Sequence, residues 1–280
     1  MNREENNYMK FSQSSIVYFN YTLKYCLVDL QKLGYKGIEV WGGRPHMYRH
    51  DLDDVIHEIK EFVAIHDMDV VNFVPAQFRY PSILCSENER ARKDSIEYIK
   101  DAADNALKLG APSVSLCPGM VAFNESVETG WKKLLKSFEE IDEYCSGKNI
   151  FLLIEPAHRF ESNLILTVDD CLRMLDELGS DRFGVLIDSG HANINGENFS
   201  DIIKKCKGIP LHIHLDDNMG DTDSHLIPGR GNVDFNSLFE ALDLYGYNGY
   251  VSGELGGIYN MDPTSACIET IEFLKKYYKQ

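Results

Sequence analysis

Apolar residues along the chain gather in two alternating kinds of run. Short stretches rich in β-branched residues fall at 9–12, 37–41, 69–74, 113–117, 149–155, 183–188, 210–215 and 250–254, and they read as strands. Longer amphipathic stretches follow them at 22–33, 51–66, about 88–109, 127–145, 168–178, 199–206, 235–245 and 263–277, and they read as helices. Asp51 and Thr167 stand where N-caps belong, Gly34 stops the first helix, and Pro263 fits a first turn. Strict alternation predicts parallel pairing with right-handed crossovers. Eight strand–helix pairs in 280 residues, one per 35 on average, predict closure into an α/β fold, a (β/α)8 barrel of one domain over 1–280 with 1–8 as a flexible tail. An open doubly wound sheet would have fewer strands and a Gly-rich first turn. An internal echo, Leu33-Gly-Tyr-Lys-Gly before the second strand and Tyr245-Gly-Tyr-Asn-Gly before the eighth, supports repetition.

Composition narrows the function classes. With 28 Lys+Arg against 44 Asp+Glu, the net charge is −16, which argues against a nucleic-acid partner whose phosphates must be neutralised. A hydrophobic content of 44% supplies a core, and no apolar run is long enough to span a membrane. The polar start carries no stretch of signal-peptide type. Seven cysteines, widely spaced and odd in number, disfavour a disulfide framework or a CxxC zinc site, so a cytoplasmic protein with reduced thiols is expected.

The candidate chemistry sits where apolar strands stop. The fifth strand ends in Glu155, the sixth in Asp188, the seventh carries His214, and the eighth ends in Glu254. In a closed barrel these ends meet at one mouth, where active sites of this fold lie. Three carboxylates so close repel and desolvate badly unless a cation neutralises them. An oxygen-rich set with one imidazole suits one divalent ion, Mn²⁺ best, with Co²⁺, Mg²⁺ or Zn²⁺ also open. Two glutamates flanking a chelated hydroxy-ketone suit proton transfer α to the carbonyl through an enediolate, leading to inversion of a carbon or to isomerisation. Spacing does not separate the two.

At these residues the chain resembles the sugar isomerase/epimerase family of xylose-isomerase-like TIM barrels. The resemblance is carried by Leu33-Gly-Tyr-Lys-Gly-Ile-Glu-Val-Trp-Gly-Gly-Arg-Pro-His46, Glu155-Pro, Glu161-Ser-Asn163, Asp223-Ser-His225-Leu-Ile-Pro-Gly229 and Gly229-Arg-Gly-Asn-Val-Asp-Phe235. Within the family the chain looks most like fructoselysine 3-epimerases, and more distantly like tagatose/psicose (allulose) 3-epimerases. The resemblance implies metal ligands at Glu155, Asp188, His214 and Glu254, with Glu155 and Glu254 doubling as acid/base. It implies substrate contacts at Glu161, His191 and His225, a small-molecule sugar substrate, and a homo-oligomer (dimer or tetramer). Arg230 stands in the glycine loop where the family often has an acid.

Other residues keep two readings. Trp41, Arg44 and His46 form either a substrate wall or a turn packed for structure. Phe78, Tyr80 and Pro81 fit a lid or an oligomer contact, and His158 and Arg159 face either the pocket or solvent. His212, one layer below His214, reads as a hydrogen-bonded core histidine, and Cys117 as packing. Three rivals remain: an aldose–ketose isomerase or polyol dehydratase, an abasic-site nuclease resembling endonuclease IV, and a catalytically dead sugar sensor. The nuclease would need histidines after the second and third strands. The third strand ends Asn72-Phe-Val without one, although Asp223-Ser-His225 is similar to a piece of that zinc cluster.

Overall fold

The computed structural model of the chain describes residues 10–51, 53–77 and 83–277. Eight strands run in chain order around a closed, all-parallel barrel. They are β1 (Lys10–Ser14), β2 (Gly37–Trp41), β3 (Asp69–Val74), β4 (Ser113–Leu116), β5 (Phe151–Ile154), β6 (Phe183–Asp188), β7 (Leu211–Leu215) and β8 (Tyr250–Gly253). Closure comes from β1 pairing with β8, Lys10 opposite Tyr250 through Gln13 opposite Gly253. The helices are α1 (Leu23–Leu33), α2 (Ile56–Ile65), α3 (Glu89–Leu109), α4 (Val127–Cys145), α5 (Val168–Leu178), α6 (Ser189–Asn195), α7 (Phe199–Lys205), α8 (Phe235–Tyr245) and α9 (Pro263–Leu274). Met9, Phe78, Tyr80 and Pro81 lie outside the described residues.

Local chemistry explains most boundaries. Thr167 accepts the Asp170 N–H while Asp170 reaches back to the Thr167 N–H, a complete capping box that starts α5. The internal echo has a backbone cause. Gly34 and Gly246 end α1 and α8 at φ 87° and 75°, a left-handed conformation in which a side chain would be strained. Asp51 departs from expectation: its carboxylate pairs with the Arg44 guanidinium, and α2 starts only at Ile56, after a 3-10 turn at Asp53–Val55. The short α6 was not anticipated. Asp188 begins it, its Oδ1 accepting the His191 N–H at 2.7 Å, so a strand-end acid serves as a helix cap as well.

The barrel interior is polar over much of its height. Ser12 hydrogen-bonds Ser252, Ser113 Oγ donates to Asn72 Oδ1 at 2.8 Å, and Glu39 and His212 bond each other, all essentially buried. The apolar core lies mainly between strands and helices, where Leu30, Ile99, Phe138 and Leu238 are fully covered.

The long β7–α8 connection is organised by one buried carboxylate. Asp217 accepts the N–H groups of Gly229 (2.8 Å), Gly231 (2.7 Å), Val233 (3.1 Å) and Asn218 (2.9 Å). Gly231 packs so tightly that a Cβ there would lie 2.3 Å from the Asn218 carbonyl oxygen. The Gly-x-Gly pattern therefore wraps a side chain of the protein. Arg230 points outward to a salt bridge with Glu269 on α9. Replacing Asp217 by Ala removes the acceptor of several converging amides, and a loss of about 3 kcal/mol is expected in urea unfolding. An unchanged midpoint would refute this role.

Candidate metal centre

Register brings the strand ends together. Asp188 on β6 lies opposite His214 on β7, and His214 lies opposite Ser252, two residues before Glu254. Glu155 follows β5 directly, its N–H donating to the Leu116 carbonyl at 3.0 Å. Glu155, Asp188, His214 and Glu254 each offer a donor atom within 4.8 Å of the others. His214 Nδ1 stands 2.9 Å from Glu254 Oε2 and 3.5 Å from Glu155 Oε1. Asp188 Oδ2 and Glu155 Oε1 are buried with no hydrogen-bond partner among the described residues. Unpaired anionic oxygens withdrawn from water are costly, and a divalent cation satisfies them together. The four residues therefore fit one such ion, with three oxygen donors and one nitrogen.

The electrostatics describe the same crowding. Burial, and then Asp216 nearby, push the Asp188 carboxyl well above its usual range. Burial opposes charge on His214, but the Glu254 and Glu39 carboxylates outweigh it and raise the imidazole pKa well above normal. Burial likewise opposes charge on Glu254, yet His214 holds its pKa below the ordinary value. Without a cation, the group keeps its charges only by borrowing protons.

Beneath the centre lies a support that the sequence reading missed. Glu39, fully buried on β2, places Oε2 2.8 Å from His214 Nε2 and bonds His212 through Oε1. His212 also meets Ser252 Oγ at 3.2 Å, so it is the hydrogen-bonded core histidine expected. A carboxylate 2.8 Å from Nε2 is placed to take a proton there, which would leave Nδ1 available to a cation among the three acids. The signal was present: two inward histidines on alternate residues of β7 require a buried acceptor.

Above the centre opens a cavity of about 880 Å³. Trp41, Glu161, His191 and His225 line it together with Glu155 and Glu254. Arg44 and His46 do not. Arg44 is tied to Asp51 at the surface, and His46 is fully buried, with Nδ1 3.0 Å from Ser15 Oγ and Nε2 facing the Tyr18 and Tyr21 carbonyls. Both belong to the turn that seats Trp41. His158 is buried, 3.1 Å from Asp223, whereas Arg159 reaches the Asp221 carbonyl at the exposed rim. Cys117 lines the cavity with Sγ 4.0 Å from Glu155 Oε2, and burial, followed by Glu155, pushes its thiol pKa well up, so it stays protonated.

Fold and site together define a parallel (β/α)8 barrel with a group of three carboxylates and one imidazole at its C-terminal mouth that could hold a cation. The chain belongs to the xylose isomerase-like TIM barrel family, whose model matches residues 27–277. It is 28% identical over 251 residues to the fructoselysine 3-epimerase of Escherichia coli O157:H7, covering 89% of this chain and 91% of that protein. Among solved structures it is similar to a D-tagatose 3-epimerase-like protein, with a TM-score of 0.82, 26% identity, and coverage of 96% of this chain and 97% of that one. The fold is shared with the IOLI protein, solved with a zinc atom, at a TM-score of 0.82, 18% identity and coverage of 97% and 100%.

Glu39→Gln is expected to weaken Zn²⁺ or Mn²⁺ binding about 10- to 100-fold in a competition assay with a chromophoric chelator, with the cooperative fold retained. Equal affinity in parent and variant would show that Glu39 does not position His214.

Proposed function

We propose that the protein is a divalent-metal-dependent 3-epimerase of a ketose or ketose derivative. The observation that carries this reading is the convergence of Glu155, Asp188, His214 and Glu254 from four consecutive strands within 4.8 Å. The likeness to named carbohydrate epimerases in sequence and structure supports the reaction class. One ion held by these four, with Mn²⁺ the best match to the donor set, supplies Lewis-acid polarisation of a carbonyl.

The protein's own groups do the rest. One of Glu155 and Glu254 takes the proton from the carbon next to the carbonyl, and the other returns a proton from the opposite face, which inverts that carbon. Both border the cavity and both lie beside His214, so each reaches the same small volume. Glu161, His191 and His225 face the substrate's hydroxyls, and Trp41 supplies an apolar wall against the sugar ring. Two carboxylates used for proton transfer need no redox cofactor. The same reading takes the chain as a single barrel domain of a cytoplasmic enzyme; the seven cysteines are all free thiols.

The test uses a panel of ketoses and amine-linked ketoses, with products resolved by NMR in D₂O. Inversion at C3 with deuterium incorporated there, lost after chelation and restored by Mn²⁺, is the expected result. Glu155→Gln and Glu254→Gln should each lower turnover by about 10²- to 10⁴-fold. Aldose formation or loss of water would overturn the epimerase reading in favour of the isomerase or dehydratase. Absence of any turnover with any metal would leave a binding protein.

A further inference from the structure

Ser162 and Asn163 follow Glu161 in the chain and take no part in the proposed reaction. Both hold the connection after β4. Ser162 Oγ donates to the Gly119 carbonyl at 2.7 Å. Asn163 takes both main-chain groups of Val121, its Oδ1 accepting the N–H at 2.9 Å and its Nδ2 donating to the carbonyl at 3.0 Å. The connection after β3 is held in the same way by α3 and α4. The Ile83 N–H donates to Ser95 Oγ at 2.8 Å, and Ser137 Oγ donates to the Leu84 carbonyl at 2.7 Å. What these bonds fix in place is apolar: Ile83, Met120, Val121 and Phe123 all line the cavity above the metal centre.

The ring order of the strands divides that cavity into two unlike halves. β5–β8 deliver the metal group, and the loops beyond them add Glu161, His191 and His225. The ends of β1–β4 and the connections after them supply Phe19, Trp41, Ile83, Met120, Val121 and Phe123. One half therefore meets a ligand with acids and imidazoles, the other with aromatic and aliphatic surface. Phe19 packs on Trp41 with ring centroids 5.3 Å apart, and Phe123 leaves 85% of its own surface uncovered.

Size and solvation decide what fits. At about 880 Å³ the cavity lies near the top of the roughly 300–1,000 Å³ range that receives drug-sized ligands, and a bare hexose leaves much of it unfilled. Sugar hydroxyls turned against the apolar side chains would lose water without gaining a partner. An alkyl or aryl group in the same place gains from its burial. Glu87 and Glu125 border the cavity on the connections after β3 and β4, so a phosphate or carboxylate carried there meets like charge.

We propose that the β1–β4 half of the cavity is a subsite for the non-reacting end of the substrate, and that this end is an uncharged alkyl or aryl substituent carried by the ketose. The assignment rests on the epimerase reading for which end of the ligand reacts. It separates this chain's substrate from free ketohexoses and from sugar phosphates. It also separates it from ketoses joined to an amino acid through the side chain, whose free carboxylate this wall repels.

The test measures affinity by calorimetry and turnover by NMR, with full-length protein loaded with Mn²⁺. The ligands are D-fructose, its benzyl ethers at the first and at the last carbon, the para-carboxybenzyl counterparts, and a phosphate ester of D-fructose. One of the benzyl ethers is expected to bind about tenfold more tightly than D-fructose, and more tightly than its carboxylated counterpart or the phosphate ester. Phe123→Ala, at a position exposed enough to spare the fold, should cut the preference for that ether over D-fructose about three- to tenfold. Glu125→Lys should narrow the gap between the ether and its carboxylated counterpart. Equal or tighter binding of D-fructose, or of the carboxylated ether, overturns the proposal; inversion of D-fructose at C3 would then leave the epimerase reading intact. A preference unchanged in Phe123→Ala places the benzyl group elsewhere and also overturns the proposal. Tight binding of a benzyl ether with no ligand turned over supports the subsite and tells against the epimerase reading. No binding of any ligand overturns both.

Discussion

Carboxylates crowded together and withdrawn from water set the terms for the rest of this molecule. Glu155, Asp188 and Glu254 surround His214 at the barrel mouth, and Asp216 and Asp223 stand close behind them. No packing of apolar groups can stabilise such a set, because the penalty is charge without solvent. It is met by cations, by protons, or by amide and imidazole donors placed with care. The architecture can be understood as the means of placing them. Parallel strands in fixed register deliver the acids to one level, and the polar interior beneath supplies Glu39 to hold the single imidazole.

That polar interior is why the barrel can carry a charged mouth on short strands. Several of its strands contribute only four or five residues, so the layer below the mouth is immediately the layer that must support it. Leu and Ile there would leave His214 free to rotate and either tautomer available. Instead the stack passes downward from His214 to Glu39, then to His212, Ser252 and Ser12, each polar group answered by the next. Apolar packing is displaced outward to the strand–helix interface, where the helices supply it.

The fold was legible because alternation of short β-branched runs with amphipathic runs has few solutions, and the four strand-end residues were legible because an apolar run broken by an acid or an imidazole is conspicuous. What the sequence did not show follows from geometry of another kind. Glu39 lies inside a strand, where a single acid in Gly-Ile-Glu-Val-Trp looks like a solvent-facing residue until the β7 histidines are placed across the barrel interior from it. For Arg44 and His46, close behind Trp41 in the chain, the pattern leaves wall and turn both open; Asp51 draws one outward and the Tyr18 and Tyr21 carbonyls draw the other inward. The second helix begins late because the Asp51 carboxylate is turned to Arg44 through both oxygens and stands away from the start of α2. The short helix at Ser189–Asn195 was hidden because Asp188 closes an apolar strand, and its cap bond to the His191 N–H leaves no apolar periodicity to mark it.

Asp217 has a consequence that reaches past stability. Every one of its four bonds ends on a main-chain amide, so the path of the glycine loop is recorded in backbone positions and owes little to the side chains it displays. Residues on the outer rim, Arg230 foremost, are thereby insulated from the mouth: they can drift, reverse sign or be redesigned while the loop keeps its course. A lineage could change how this barrel meets its surroundings without disturbing the chemistry a few residues away.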